Sequence, residues 1–327
     1  MHRHPLIGYL ATGGTISSTS AGTGTGVVPS LTAAQLIDSA GFDDNRFDVI
    51  AEQAAQLPSA SFTFDTLRTL DRRARAMVDR GVDAVVVTQG TDSLEETAFF
   101  FDLTWDSPVP VVFTGAMRNP DETGADGARN LRSAILVGGD PSSAGRGPLV
   151  VVNDRIHAAG LVRKAHTSAV DAFVSDGAGP VGEVVEDRPS YYSVPARRPA
   201  LPIGGQDARI AVYRSTLGDS DDILRHIADG PYDGLVVEGF GGGHVAEWQV
   251  PAITGICSRM PVILTSRTGG GRVLESTYGF AGSEIDLTAR GVIPAGHLNG
   301  LQARMLLWVL LSRGAGPDDV RGAFSTR

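Results

Sequence analysis

The amino-acid sequence predicts an α/β fold: a larger N-terminal domain on a doubly wound, mostly parallel sheet, followed by a smaller C-terminal α/β domain. Short apolar runs alternate with amphipathic stretches along the 327 residues, as expected for parallel strands joined by crossover helices. The segment Asp187–Gln206 is rich in Pro, Arg and Gly and has no periodicity, which is typical of a domain boundary. We therefore predict domains over 1–187 and 208–327, joined by a linker over 188–207.

The first strand is predicted over Leu6–Ala11, an apolar run that ends at a Thr-Gly-Gly-Thr sequence. Apolar residues recur at helical spacing over Phe64–Asp79, which predicts a helix with one buried face. Ala84–Thr88 (AVVVT) is continuously apolar and β-branched, as in a strand buried on both faces. The same patterns predict a helix around Leu31–Ala40. Further along the chain they predict, in order, a helix over Leu94–Trp105, a strand over Val109–Thr114, a helix over Gly127–Val137 and a strand over Leu149–Asn153.

The alternation resumes after the predicted linker. Strands are predicted over Ile210–Tyr213, Gly234–Val237 and Val262–Ser266. Helices are predicted over Asp222–Ala228, Val245–Ser258 and, as a long apolar segment, Leu298–Arg313. This order completes the smaller α/β domain.

Net charge, cysteine count and the length of the apolar runs exclude several classes of function. A net charge of −9 argues against nucleic acid or an anionic membrane as the main partner. The one cysteine, Cys257, cannot form an internal disulfide, and no Cys/His spacing resembles a zinc site. Leu6–Ala11 is too short for a signal-peptide core, and no apolar run is long enough to span a membrane. We expect a cytoplasmic protein.

Lys164 is the only lysine among the 28 Lys and Arg residues. Arginine stays protonated in proteins, whereas a lysine amine can lose its proton in a buried site. A single amine in such a chain therefore indicates proton-transfer chemistry. The alternative is a compositional drift to Arg that left one lysine by chance.

Two predicted strand ends carry nearly the same chemistry, in Ala11–Ile16 (ATGGTI) and Thr88–Ser93 (TQGTDS). In each, glycine permits a sharp turn with exposed N–H groups, and a threonine hydroxyl follows the strand. Ligands of doubly wound folds bind at this edge of the sheet. Exposed N–H groups can bind an oxyanion, and a hydroxyl beside a base can attack a carbonyl.

Each loop also has a simpler interpretation. The first could bind a phosphate, but neither a complete GxGxxG nor a Walker sequence is present. In the second, Asp92 with Glu95, or Ser93 with Glu96, fits a helix cap and capping box, and we expect capping to occur. Capping does not account for the Thr-Asp pair directly after Gly90.

The runs ATGGTIS and TQGTDSLEETAFF closely resemble the two defining motifs of the bacterial-type L-asparaginase family, which includes glutaminase-asparaginases. The resemblance continues through residues 113–118, 126–127, 152–154 with Lys164, 232–234 and 298–299 with 302–304, and so spans nearly the whole chain. It implies hydrolysis of L-asparagine to L-aspartate and ammonia through a threonine acyl-enzyme, without metal or organic cofactor. It also implies a homotetramer, a dimer of dimers with sites at the tight dimer interface.

The resemblance assigns roles by position in the N-terminal domain. It implies that Thr12 is the nucleophile and that Thr91 and Lys164 form a second hydroxyl–amine pair. Asp92 completes that unit and holds the substrate α-amino group. Ser59 lies where the family binds the substrate α-carboxylate.

Two residues of the C-terminal domain complete the implied site. Glu284 aligns with a carboxylate that reaches into a neighbouring subunit's site. His244 aligns with an asparagine of a glycine-rich loop, which is one of three departures from the family pattern. Ala60 replaces a glutamine, and Ser17–Val28 lacks the family's loop tyrosine, so that Thr23, Thr25 or no residue takes its role. The preference between asparagine and glutamine, and the substrate affinity, stay open.

Other functions fit the same motifs. One is a glutaminase-asparaginase of broader specificity. Another is the amidase subunit of a tRNA-dependent amidotransferase, whose usual extra N-terminal domain we do not expect here because the first motif starts at Ala11. A third is a non-catalytic amino-acid-binding protein, which would have no need of a titratable amine.

Overall fold

The computed structural model describes residues 4–20, 26–41 and 46–326. It divides the chain into two compact units, Met1–Ala200 and Leu201–Arg327. The first contains an eight-stranded, largely parallel sheet and the second a four-stranded parallel sheet, each with helices. The predicted α/β fold class is confirmed.

The strands of the first unit are β1 (Leu6–Ala11), β2 (Ser18–Ser20), β3 (Val27–Pro29), β4 (Asp48–Gln53), β5 (Ala84–Thr88), β6 (Val111–Thr114), β7 (Leu149–Val152), β8 (Arg155–Ala158), β9 (Val162–Lys164), β10 (Phe173–Ser175), β11 (Gly182–Val185) and β12 (Arg188–Tyr191). The main sheet has the order β12-β11-β8-β7-β6-β5-β1-β4. Its pairs are parallel from β4 to β7 and antiparallel from β7 to β12. Two small antiparallel pairs, β2–β3 and β9–β10, lie outside it.

Strand order places the first two motifs side by side. β1 lies between β4 and β5, and Ala11 at its end is in register with Thr88 at the end of β5. All five residues of β5 are buried, as its apolar sequence predicts. The loops after these strands therefore leave the sheet at one edge.

Helices α1 (Ala33–Ser39), α2 (Phe64–Asp79), α3 (Leu94–Thr104) and α4 (Gly127–Gly139) belong to the first unit. α2 begins at a capping box in which the Thr63 hydroxyl accepts from the Thr66 N–H. Its buried residues Leu67, Leu70, Ala74 and Met77 form the predicted apolar face. α4 packs against the central strands.

The antiparallel part of the sheet was not predicted. β7 and β8 are joined by Asn153 and Asp154, which both have positive φ, and β11 and β12 are joined by Glu186 and Asp187, which also do. Two-residue hairpins of this geometry normally contain glycine. Without glycine, these turns carry only a weak sequence signal.

β12 lies inside the segment predicted as a linker, and residues 192–209 contain no helix or strand. The domain limits of 187 and 208 stay predictions.

The second unit has a parallel sheet in the order β13 (Ile210–Arg214), β14 (Gly234–Gly239), β15 (Val262–Ser266) and β16 (Ile293–Pro294). Its helices are α5 (Asp222–Asp229), α6 (Val250–Cys257), α7 (Glu284–Ala289), α8 (Gly300–Ser312) and α9 (Pro317–Ser325). The helix predicted from Val245 begins only at Val250, after a 3-10 turn over Glu247–Gln249. α8 is buried along most of its length, as its apolar sequence predicts. Among the described residues, no helix is long and apolar enough to cross a membrane.

Candidate active site

Thr12 directly follows β1 and is 1% exposed. Its backbone N–H and its side-chain hydroxyl both donate to the Thr88 carbonyl, at 3.0 and 2.8 Å. The N–H of Thr12 is thus already used and is not an open oxyanion donor. The hydroxyl donates only its proton to the Thr88 carbonyl, so the lone pairs of its oxygen are not used by this bond.

The glycines after Thr12 let the two motif loops touch. Gly13 and Gly14 have φ values of 103° and 91°, which favour glycine. A Cβ on Gly14 would come 2.3 Å from the backbone nitrogen of Gly90, and one on Gly13 would come 2.8 Å from the Leu57 carbonyl oxygen. The first loop therefore packs directly against the second and against the segment after β4.

Thr91, Asp92 and Lys164 form one hydrogen-bonded unit. The Lys164 Nζ lies 2.9 Å from the Thr91 Oγ1 and 2.8 Å from the Asp92 Oδ1. The side chain of Lys164 is 15% exposed, whereas that of Asp92 is 69% exposed. The amine is therefore enclosed beside a buried hydroxyl, and the carboxylate reaches solvent.

Glu95 holds Lys164 in this position. Lys164 ends β9, and its backbone N–H donates to the Glu95 Oε2 at 2.6 Å. Burial raises the pKa of Glu95, although the N–H of Lys164 favours the ionised carboxylate. This bond attaches β9 to the first turn of α3, 69 residues earlier in the chain.

Ser59 begins a 3-10 turn over Ser59–Ser61 and is 3% exposed. Its hydroxyl is buried and has no hydrogen-bond partner among the described residues. A Cβ on Gly90 would lie 2.8 Å from this hydroxyl oxygen, so Gly90 keeps the space around it open. A buried, unpaired hydroxyl is costly unless a ligand completes its hydrogen bonds.

The predicted helix cap is wrong. Ser93 is the residue before α3, but its side chain makes no capping hydrogen bond. Its hydroxyl donates to the Ser59 carbonyl at 2.8 Å, and Asp92 binds Lys164. Ser93 and Asp92, which the local sequence pattern assigns to the cap of α3, are thus engaged in contacts with residues distant in the sequence.

Thr12 also lines a pocket of about 300 Å³ together with Leu57 and, from α2, Thr66 and Leu70. Thr91, Asp92 and Lys164 do not line this pocket. The pocket thus borders Thr12 without including the hydroxyl–amine pair.

His244 and Glu284 meet in the second unit. The Glu284 carboxylate is fully buried and accepts from the His244 Nε2 at 3.1 Å and from the backbone N–H groups of Thr277 and Tyr278 at 2.8 and 2.7 Å. Burial alone would raise the pKa of Glu284, but these donors outweigh it and the pKa is lowered. The His244 ring packs edge-on against Tyr278 and Phe280.

Among the residues that the structure describes, no group of three or more His, Cys, Asp or Glu side chains is arranged to hold a metal ion.

Family models match both parts of the chain. The N-terminal asparaginase domain matches residues 6–197, and the glutaminase/asparaginase C-terminal domain matches residues 209–324. The chain belongs to the asparaginase family.

Named members of the asparaginase family match along almost the whole chain. The probable L-asparaginase of Deinococcus radiodurans is 37% identical over 98% of this chain and 97% of its own length. The glutaminase-asparaginase of Pseudomonas fluorescens is 30% identical over 93% and 85%. The crystal structure of a probable cytoplasmic L-asparaginase from Campylobacter jejuni superposes with a TM-score of 0.89 at 27% identity, over 98% and 99% of the two chains.

The departures from the asparaginase pattern lie in three places. Ala60 follows Ser59 in the 3-10 turn and is exposed. His244 is paired with Glu284, as described above. Thr23 and Thr25, offered for the role of the missing tyrosine, lie outside the described residues.

The sequence did not predict that Gln89, Ser93 and Glu95 make hydrogen bonds around the site. All three lie within the second asparaginase motif, but their hydrogen-bond partners are distant in the sequence or are identified only by the folded structure. A fully buried Gln after a buried strand is the one available signal, because a buried amide needs partners.

Proposed function

We propose that this protein is an L-asparaginase, which hydrolyses L-asparagine to L-aspartate and ammonia through an acyl-enzyme on Thr12. The observation that carries the proposal is the hydrogen-bonded unit of Thr91, Asp92 and Lys164. Thr91 and Asp92 lie in a loop that touches the loop of Thr12, and Lys164 reaches them from the end of β9. Family membership and the named relatives support the activity.

The reaction has two balanced steps. The Thr12 oxygen bonds to the side-chain amide carbon of asparagine, the C–N bond breaks, and the amide nitrogen leaves as ammonia with the hydroxyl proton. A water molecule then adds to the ester carbon, the bond to the Thr12 oxygen breaks, and a proton returns to Thr12. Thr91 and Lys164 supply a hydroxyl–amine path by which protons can move during these steps.

Substrate binding follows from the charges at the site. The exposed carboxylate of Asp92 suits the α-ammonium group, and the unpaired hydroxyl of Ser59 suits the α-carboxylate. Gly90 lies against Ser59 and directly precedes Thr91 and Asp92. Because both charged groups of an amino acid are bonded to its α-carbon, these two contacts would hold the α-carbon and leave the side-chain amide for Thr12.

A glutaminase-asparaginase of broader specificity is the second candidate. Ala60 supports it, because a small, exposed residue beside Ser59 cannot make the polar contacts of a glutamine side chain. The similarity to the Pseudomonas fluorescens enzyme supports it as well.

We further propose a cytoplasmic homotetramer in which Glu284 completes the site of a neighbouring subunit and His244 contributes to substrate binding. The hydrogen bond between the two side chains supports a joint role. Because the Glu284 carboxylate is fully buried in the single subunit, this role requires assembly to free it from its donors. Sedimentation equilibrium of the purified protein tests the assembly, and a monomer that turns over asparagine would contradict it.

The assay follows ammonia together with the acid product of the purified chain, which is aspartate from L-asparagine or glutamate from L-glutamine. We expect the two products in equal amounts from asparagine, without added metal. Comparable kcat/KM values for asparagine and glutamine would favour the second candidate. Calorimetric binding of asparagine without any turnover would instead show an amino-acid-binding protein.

A further inference from the structure

We propose that Ser93 is a positioning residue for substrate binding: it holds Ser59 at a fixed place relative to Thr91 and Asp92. This inference rests on the proposed function, because it concerns the spacing of the two protein groups proposed to bind the α-ammonium and the α-carboxylate of the substrate. It follows from a hydrogen-bond chain between the second motif loop and the 3-10 turn of Ser59.

The first observation is where the Ser93 hydroxyl points. It lies 2.8 Å from the Ser59 carbonyl and donates to it, across 34 residues of sequence. The same carbonyl accepts the Phe62 N–H at 3.1 Å. Ser93 thus binds the backbone of Ser59 and leaves the Ser59 hydroxyl free.

The second observation is that the direction of every hydrogen bond in the chain is determined. The Thr97 hydroxyl donates to the Ser93 carbonyl at 3.2 Å, so neither hydroxyl proton is available to Gln89. The Gln89 amide must therefore turn its NH₂ group toward them, and it donates to Thr97 at 3.0 Å and to Ser93 at 3.3 Å. A donor behind Ser93 strengthens the bond that Ser93 makes to Ser59.

The third observation is the cost of this arrangement. Gln89 is fully buried, and its carbonyl oxygen is left without a partner among the described residues. The cap of α3 is also given up. Two unfavourable local choices in one network indicate that the position of Ser59 matters more than the stability of the helix end.

The consequence is geometric. Ser93 belongs to the same 3-10 turn as Thr91 and Asp92, so its bond to Ser59 connects the proposed carboxylate-binding hydroxyl with the proposed ammonium-binding carboxylate. Loss of this bond lets the two groups move apart. Affinity for an α-amino acid should fall, while the chemistry at Thr12 continues.

A double-mutant cycle tests this. Ser93→Ala should raise KM for L-asparagine about three- to tenfold, the value of one neutral hydrogen bond, with kcat changed less than about twofold. Ser59→Ala removes the hydroxyl but keeps the carbonyl that Ser93 binds. In that background, Ser93→Ala should have almost no further effect on KM, because the group it positions is gone.

The controls separate positioning from folding. Thr104→Val removes another 2.8 Å hydroxyl-to-carbonyl bond of α3, far from Ser59, and should leave KM unchanged. Ser93→Thr keeps the donor and should restore wild-type KM, and Ser93→Cys, a poor donor, replaces Ser93→Ala if that variant does not fold.

Additive effects of Ser93→Ala and Ser59→Ala on KM would overturn the inference, as would a Ser93→Thr variant that behaves like Ser93→Ala. A wild-type chain that releases no ammonia from asparagine would instead show that the proposed function itself is wrong.

Discussion

Replacement of Lys164 by Arg and by Met distinguishes proton transfer from simple charge. The Lys164 amine contacts the Thr91 hydroxyl at 2.9 Å and the Asp92 carboxylate at 2.8 Å. Lys164→Arg keeps the positive charge and can still donate to both groups, but a guanidinium cannot give up its proton. Lys164→Met removes the charge as well.

The structure sets the size of each effect. Loss of a general base costs on the order of a hundred- to ten-thousand-fold in rate, which is about 3–5 kcal/mol of barrier. The pair with Asp92 involves a carboxylate that is 69% exposed, and such a pair contributes no more than about 1 kcal/mol, or about fivefold. We therefore expect kcat to fall at least about a hundredfold in both variants.

The assay is ammonia release from L-asparagine across a range of pH, with circular dichroism to confirm folding. Arg163→Met is the matched control. It removes the neighbouring cation of β9, which pairs with Asp176, and should leave kcat close to wild type. A Lys164→Arg enzyme with nearly full activity beside an inactive Lys164→Met enzyme would refute proton transfer through Lys164.

Three further predictions follow from single contacts. Gly14→Ala forces a Cβ to within 2.3 Å of the Gly90 nitrogen, so we expect loss of most activity, measured as kcat/KM, whereas Gly255→Ala in α6, which has no positive φ and meets open space, should be mild. Burial, with help from Arg155, lowers the pKa of His157 to about 4. The His157 imidazole binds a proton near pH 6.5 in the unfolded chain but not in the native protein, so the contribution of His157 to the unfolding free energy should fall by about 3 kcal/mol as the pH drops from 6.5 to 4; chemical denaturation should show a smaller fall in His157→Gln. Ala60→Gln should change KM for asparagine and glutamine more than kcat, and unchanged kinetics would show that position 60 does not face the substrate.

Much of the fold could be predicted because the apolar periodicity of the sequence matches the faces that the helices and strands bury. β1, α2, β5 and β15 have the predicted limits, since each is either continuously apolar or strongly amphipathic. β4 was missed because it is the edge strand of the sheet and half of its residues are exposed, which weakens its apolar pattern.

The sequence likewise predicted some residues of the candidate site and not others. The motif sequences placed Thr12, Thr91 and Asp92 at strand ends, and the only lysine, from a strand that was not predicted, meets them there. The bond between Ser93 and Ser59 could not be predicted, because a serine before a helix has the same sequence pattern whether it caps that helix or binds a distant carbonyl.

The most direct test of the central claim compares Thr12→Ser with Thr12→Val. Serine keeps the hydroxyl, and valine keeps nearly the volume of threonine without it. We expect the serine variant to retain a measurable part of the wild-type ammonia release. The valine variant should bind L-asparagine in calorimetry yet lose at least about a thousandfold in kcat, as expected when an enzyme's nucleophile is removed. A folded Thr12→Val protein that still hydrolyses asparagine at about a tenth of the wild-type rate would show that Thr12 is not the nucleophile.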